Sequence, residues 1–585
     1  MQKFDPNFED FLKVEPNEPN LEEFKKDYGA VIEKLKNAKT AEEAIAAIRE
    51  SFVLDESLST QYGLVYVHHT IDTRDEKYTR YSEIFDEILP YINDLGQQIN
   101  KLIIESPFIK EIKKEFSPLF IKQIKLSLKT FDPKVIPLLQ KENSLVARYV
   151  KLIGSAVIEY KGEKYSLSQM GKFTTHKTRL IRKEANEIVL SWWEEHEKEI
   201  GDIFDELVHV RDEIAQQLGY RNFIQLAYDR LGRTGWNAKD IQNYREQVKE
   251  NIVPLAVKVL SDQKERLGYG DDTQFYDYNI FYKSGNPTPK GNKDKLVDQA
   301  RKLYHRLNKE CSHYFDFMID HNCVDLEAKQ GKSGGGYMEY FPALKTSFIF
   351  SNFNGTDGDV DVLTHEFGHA LQGFLAGKTI DVPSLRSPGM ECCEMHSMSM
   401  EFLTYPYMEL FFKKDADKYR YKHLADAITF IPYGTMVDEF QHIVYKKPNM
   451  TPEQRNKEWL KLEKVYRPMM DYKNQKFLKD GCWWMRQHHI IENPFYYIDY
   501  TIAQVVALEF FIESQEELKE KEGSKKANKT MRKYLKFCKT GGKKVYKQLL
   551  RSCKIDDPMV PPTQKEVATK VMDVLNSYNV EELDK

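Results

Sequence analysis

His365-Glu366-Phe367-Gly368-His369 packs the most chemistry into the fewest residues of this 585-residue chain. On a helix, side chains four apart share a face, so both imidazoles can reach one metal ion. Glu366 would then stand beside the metal's water, placed to take its proton. This is the HExxH pattern by which helical zinc hydrolases hold their metal. The flanks favour a helix. Asp359, Asp361 and Thr364 offer acceptors near its start, and Val362, Leu363, Phe367, Ala370 and Leu371 supply apolar faces. A solvated polar helix can carry the same five letters by chance. A catalytic zinc takes three protein ligands and keeps one position open, so a third ligand should exist.

Glu394 is the best candidate for it. It lies 25 residues beyond His369, after Gly373, Gly377, Pro383, Ser384, Ser387, Pro388 and Gly389, turn chemistry that lets the chain come back. Residues 391–404 read as a second helix, with Glu391, Glu394 and Glu401 near one face. Such acids usually line a solvated face. Here Met390, Met395, Met398, Met400 and Phe402 surround them, which predicts a buried helix whose carboxylates need partners. A metal and its imidazoles would supply them.

The run from Phe353-Asn354-Gly355-Thr356 through HEFGHA to Glu394-x-x-Ser397-x-x-x-Glu401 resembles the thimet oligopeptidase and oligoendopeptidase F family of zinc metallopeptidases. The resemblance implies that His365, His369 and Glu394 bind a single zinc ion and that Glu366 is the general base. It makes Glu401 and Glu391 acceptors behind the imidazoles, where a carboxylate fixes the tautomer and raises basicity. Gln372 stands where several members carry a further histidine, which points to the Pz-peptidase-like branch.

A second signature, His488-His489-Ile490-Ile491-Glu492-Asn493-Pro494-Phe495-Tyr496-Tyr497-Ile498-Asp499-Tyr500, resembles the H-I-x-E-x-P-F-Y-Y-I-x-Y run of that branch. Peptide hydrolysis develops an oxyanion, and a phenol or imidazole near the metal can donate to it. Tyr500 is the first choice, with Tyr497 and His489 next, ahead of Tyr496 and His488. The chain holds 34 tyrosines, so most must serve packing rather than chemistry. Upstream, Gly334-Gly335-Gly336-Tyr337 predicts a tight loop, and Lys345 to Phe353 predicts a short apolar strand. In the family such a strand borders the cleft and pairs with extended substrate. Gly335, Gly336, Tyr337, Ser347, Phe348 and Phe350 are therefore expected to bind substrate through backbone addition, with residues 346–353 as the edge.

The whole chain bounds the rest. No linker, low-complexity tract or fixed-period repeat appears. Amphipathic helix patterns cover Asn20 to Lys36, Ala41 to Ser51, Lys183 to Leu218 and Asp240 to Arg266. The predicted fold is mainly α, with a small sheet beside the HExxH helix; the resemblance, specific over residues 330–510, implies two helical lobes around a deep substrate channel. Residues 1–160 are expected to form an N-terminal helical region and 161–585 the catalytic region of one compact unit. With 86 basic against 90 acidic residues, nothing supports nucleic-acid or anionic-membrane binding. The Lys-rich stretch Lys519 to Lys547 is read as a solvated face. No apolar run approaches the ~20 residues that span a bilayer. Seven dispersed cysteines without CxxC, and no secretory segment, predict reduced thiols and the cytoplasm.

The expected activity is therefore a zinc metalloendopeptidase, an oligopeptidase cutting internal bonds of short peptides. The residues leave rivals. A zinc aminopeptidase would need an acidic pocket for the α-amine, and Gly389-Met390-Glu391 is a faint echo of one. A non-catalytic helical peptide-binding scaffold would have no use for Glu366. A structural zinc would want a fourth protein ligand, and His396, two residues from Glu394, points to another helix face. Oligomeric state and cleavage preference are not written in the sequence.

Overall fold

Capping residues set the first helices. The Asn20 side chain accepts from the Glu22 amide at the head of Leu21–Asn37, and Thr40 accepts from Glu43 at the head of Ala41–Ile71. The structure, a computed structural model, describes residues 3–473, 475–520 and 529–585. Residues 521–528 of the lysine-rich stretch lie outside the described residues, as do Met1 and Gln2 at the chain start. The body is mainly helical, as expected.

Three predicted helices change their bounds. The pattern from Ala41 continues to Ile71, and at Gly63 the Phe341 ring lies against the helix; a Cβ there would stand 2.9 Å from Phe341 Cε1. The 183–218 pattern splits at His196, whose Nδ1 lies 2.7 Å from the Trp192 carbonyl, giving Arg179–Glu195 and Glu197–Gln217. The 240–266 pattern holds as Ala238–Gln247 and Val253–Leu267, joined by a π-turn at Val248–Ile252. Pro254 has no N–H to give to the preceding turn, which loosens the ladder there.

Two sheets are present among the described residues. Strands β1 (Ile158–Tyr160) and β2 (Glu163–Tyr165) form a hairpin. Strands β3 (Val324–Glu327), β4 (Tyr337–Phe341) and β5 (Thr346–Phe353) form the sheet beside the HExxH helix, in the order β3-β5-β4. Here the sequence reading needs correction. β5 is not an edge. It runs parallel to β3 and antiparallel to β4, with its hydrogen-bonding capacity used on both sides. The edges of the sheet are β3 and β4.

Two apolar cores organise the helices. One gathers Phe24, Ile48, Phe85, Ile112 and Phe120 from the first 130 residues, and closes on Ala376, Ile380 and Leu385. The other fills the rest of the molecule and includes Leu363, Phe367 and Leu371. The helix Gly358–Thr379 thus runs from one core into the other, with its HExxH turns in the larger. Helix Met390–Leu403 packs across it and is buried almost throughout. Helices Ala416–Lys446 and Tyr497–Glu520 close the site from behind.

Candidate metal centre and active site

The HExxH helix is anchored at its start by Asp359, whose carboxylate accepts from the amides of Asn354 and Gly355 at 2.8 and 2.9 Å. Gly368 allows the next helix to cross at close range. A Cβ on it would stand 2.7 Å from Ser397 Cα and 2.8 Å from the His396 carbonyl oxygen. That closeness carries Glu394 to the imidazoles. Its Oε2 lies 3.3 Å from His365 Nε2 and 3.4 Å from His369 Nε2. Ligands about 2.0–2.1 Å from a tetrahedral zinc lie roughly 3.3–3.4 Å apart, so the spacing fits that ion. Among the described residues this trio is the group of His, Cys, Asp and Glu side chains that could hold a metal.

The protonation pattern also suits a cation. His365 Nδ1 lies 2.6 Å from Glu401 Oε1 and its Nε2 faces Glu394 Oε2; burial opposes a charge on the ring, yet the two carboxylates raise its pKa well above the ordinary value. Two acceptors in that position need a positive charge between them. Burial works against the ionised form of Glu394, yet His369 and His365 hold it well below the usual carboxylate range. Ser397 Oγ donates to Glu394 Oε2 at 3.1 Å, and the Tyr496 hydroxyl donates to Oε1. Glu366 is buried beside them, and that burial raises its carboxyl pKa, with His365 and His369 pulling the other way. The imidazoles themselves stay 20% and 15% exposed, so one side of the trio is open.

Glu401 is held from both sides. Its second oxygen meets His423 Nε2 at 2.7 Å, and His423 Nδ1 meets the Tyr405 hydroxyl at 2.6 Å. Burial opposes ionisation of Glu401, but His365 and His423 keep its pKa down. If this relay orients His365, removing His423 should weaken metal binding by about 10–100-fold. Chelator competition on a His423→Ala protein measures it, and unchanged affinity would remove His423 from the relay.

Other expected residues sit elsewhere. Glu391 does not stand behind an imidazole. Its carboxylate lies by the Cys392 thiol, Trp236 and the Arg233 guanidinium, because the first turn of its helix is past the metal helix crossing. His396 faces the Phe537 ring at 4.1 Å, away from the trio. Ser347, Phe348 and Phe350 are fully buried. Ser347 braces β5 through the Tyr314 hydroxyl at 2.8 Å, Phe348 stacks on Phe11 and Phe350 on Tyr337, so they build the floor under the site and cannot touch a substrate. Tyr337 spends its hydroxyl on Thr70 at 2.6 Å. Gly335 has a left-handed backbone, φ 84°, with open space around it. Gly336 approaches the centre: a Cβ there would come 3.9 Å from Glu366 Oε1.

The tyrosine segment enters from the opposite side. The Tyr500 hydroxyl is 3.5 Å from His489 Nε2, and the Tyr496 and Tyr500 rings lie 5.0 Å apart. The Tyr497 ring packs on His489 and Tyr500, with centroids 4.8 and 5.5 Å away, and on Phe430 and Tyr433 behind them. Burial, with Glu394 nearby, keeps the Tyr500 phenol protonated, and burial with His488 nearby drops His489 to about 4. Two participants were missed or underrated. Tyr496 and Tyr500 are four apart on the start of one helix, a spacing that pairs them. His423 has no motif of its own.

The model of the Peptidase M3 N-terminal domain matches residues 11–131, and that of Peptidase family M3 matches residues 173–569. The chain belongs to peptidase family M3. Pz peptidase A, solved with an inhibitor, superposes with a TM-score of 0.93 at 40% identity, over 97% of this chain and 99% of its own. The chromosomal oligoendopeptidase F of Lactococcus lactis subsp. cremoris is 22% identical over 382 residues, 60% of this chain and 61% of the relative. Oligopeptidase PepF of Bacillus subtilis (strain 168) is 23% identical over 354 residues, 56% and 48%. The match thus spans about half to three-fifths of these curated relatives. Oligoendopeptidase-F from Enterococcus faecium, at 14% identity and a TM-score of 0.59 over 96% and 99% of the two chains, shares the fold. The M3 matches extend the resemblance read over residues 330–510 to residues 11–131 and 173–569.

Proposed function

We propose that this M3 chain is a zinc-dependent metalloendopeptidase that cuts internal bonds of short peptides in the cytoplasm. The observation that carries the reading is the convergence of His365, His369 and Glu394 with Glu366 beside them, in a chain of a peptidase family. The first three residues would hold one zinc ion. When bound, zinc supplies Lewis acidity, which lowers the pKa of a water molecule and polarises a carbonyl.

The chain's own residues do the rest. Glu366 accepts the water's proton as the water attacks, then hands it to the departing amine. Tyr500 donates its phenolic hydrogen to the developing oxyanion, with His489 next to it as a second donor. Tyr496 holds Glu394 in place. Glu401, backed by His423, fixes His365 in one tautomer. An extended peptide would add its backbone to the outer side of β4, the edge strand that follows Gly336, where the backbone comes close to Glu366. The chain is read as one compact unit, with 1–160 its N-terminal helical region and 161–585 its catalytic region, whose two helical lobes wall the channel in which that peptide lies.

A folded protein must unfold locally to present an extended segment, which costs free energy. Short peptides should therefore be cut and stable folded proteins spared. Mass spectrometry of digests over a peptide length series, beside a folded protein, tests this. Internal cuts that cease on chelation are expected. Native surface loops cut as fast as the peptides would refute the size limit, and release of N-terminal residues alone would favour an aminopeptidase.

A further inference from the structure

The tyrosine segment turns on a residue that does not suit the turn. Phe495 has a left-handed backbone, φ 67°, and its side chain is fully buried. Such a conformation is strained for a bulky residue and persists only where the surroundings fix it. Tyr496 follows directly, and Tyr500 comes about one helical turn later.

Three polar side chains from elsewhere in the fold fix the segment. Gln441 Oε1 accepts from the Phe495 amide at 2.8 Å. On the other side of the same residue, Arg233 Nη2 donates to the Phe495 carbonyl oxygen at 2.5 Å and to both carboxylate oxygens of Asp499, at 2.9 and 3.0 Å. One nitrogen thus ties the strained turn to the first turn of the helix that carries Tyr500. Arg211 Nη2 donates to the Ile491 carbonyl oxygen at 2.5 Å, earlier in the segment. The side chains of Arg233 and Asp499 are buried, and the guanidinium carbon lies 4.4 and 4.3 Å from the ring centroids of Tyr228 and Trp236. Those two aromatic faces hold the guanidinium in place. Through the segment, Arg233 bears on the centre twice. The Tyr496 hydroxyl donates to Glu394, and Tyr500 stands by His489.

We propose that Arg233 is a positioning residue, whose hold on the Phe495 turn sets Tyr496 against Glu394 and Tyr500 against the bond to be cut. This role rests on the ligand and donor assignments above. A group that acts in the transition state must be in register with it, and a shift of about 1 Å can cost ~10²-fold in rate.

Two changes remove the hold. Arg233→Lys keeps the positive charge on a shorter stem. Arg233→Met made together with Asp499→Leu removes both buried polar partners at once, which avoids stranding one of them and spares the fold. Each is made in the unaltered protein, in Tyr496→Phe and in Tyr500→Phe. Chelator competition gives zinc affinity without turnover, and peptide hydrolysis at saturating zinc gives kcat and KM. Zinc affinity should fall about tenfold where Tyr496 is present and should not move in Tyr496→Phe. Likewise kcat should fall by about 10–10²-fold, with little change in KM, and should not fall further in Tyr500→Phe. An arginine that only stabilises the fold would cut the active fraction by the same factor in every background. Equal losses with and without the tyrosines, or unchanged zinc affinity and kcat in both Arg233 proteins, would overturn the positioning role. A protein whose zinc affinity follows Arg233 through Tyr496, yet which cuts no peptide, would count against the peptidase reading and leave the positioning role standing.

Discussion

Replacing Glu366 by glutamine should leave the metal in place and remove nearly all turnover. Glutamine keeps the volume and most of the hydrogen bonding of glutamate, and the proposed ligands His365, His369 and Glu394 are untouched. It cannot accept a proton from water. The buried setting of Glu366 raises its pKa, which makes it a better proton acceptor than an exposed carboxylate. General base catalysis contributes about 10²–10⁴-fold, and the loss should be at least of that order. Turnover near the unaltered rate, with zinc bound, would take the base role away from Glu366.

Gly368→Ala should cost both stability and metal. The new methyl would meet Ser397 Cα at 2.7 Å, the His396 carbonyl oxygen at 2.8 Å and Met400 Cβ at 3.1 Å. The first two are backbone atoms of the crossing helix and cannot swing aside. The helices must part, and Glu394 rides on the helix that moves. Overpacking of this kind costs about 1–3 kcal/mol. Gly96, inside helix Glu76–Glu105, is the control, since nothing lies within 4 Å of a Cβ there. Alanine at Gly96 should stabilise, by up to ~1 kcal/mol. Thermal melts and zinc content of the two variants separate the cases. A Gly368→Ala protein as stable and as metal-rich as the unaltered one would show that the crossing tolerates a methyl.

The sequence carried the metal trio because its information is local. HExxH sits within two helical turns, and the return of Glu394 follows from turn residues between two helices. Glu401 was legible for the same reason, being seven residues on from Glu394 and so on one face. Glu391 obeys the same spacing yet lies too near the helix start to reach an imidazole. Spacing gives a face; it does not give the point where two helices cross. The central place of β5 was also written in its composition. Phe348-Ile349-Phe350 puts apolar side chains on both faces at the middle of residues 346–353, the mark of a strand covered on both sides, whereas an edge would show alternation. His423 could not be read. It reaches Glu401 across 22 residues through helix packing, and a lone histidine on a mixed helix carries no local sign of a partner.

The claim on which everything else depends is that His365, His369 and Glu394 hold one zinc ion that hydrolysis requires. Elemental analysis of the purified protein and of its Glu394→Ala variant, with peptide turnover measured on the same samples, tests it most directly. The account predicts close to one equivalent of zinc in the unaltered protein, and loss of zinc and turnover together in the variant. Equal zinc in both proteins, or full turnover in a zinc-free sample, would contradict it.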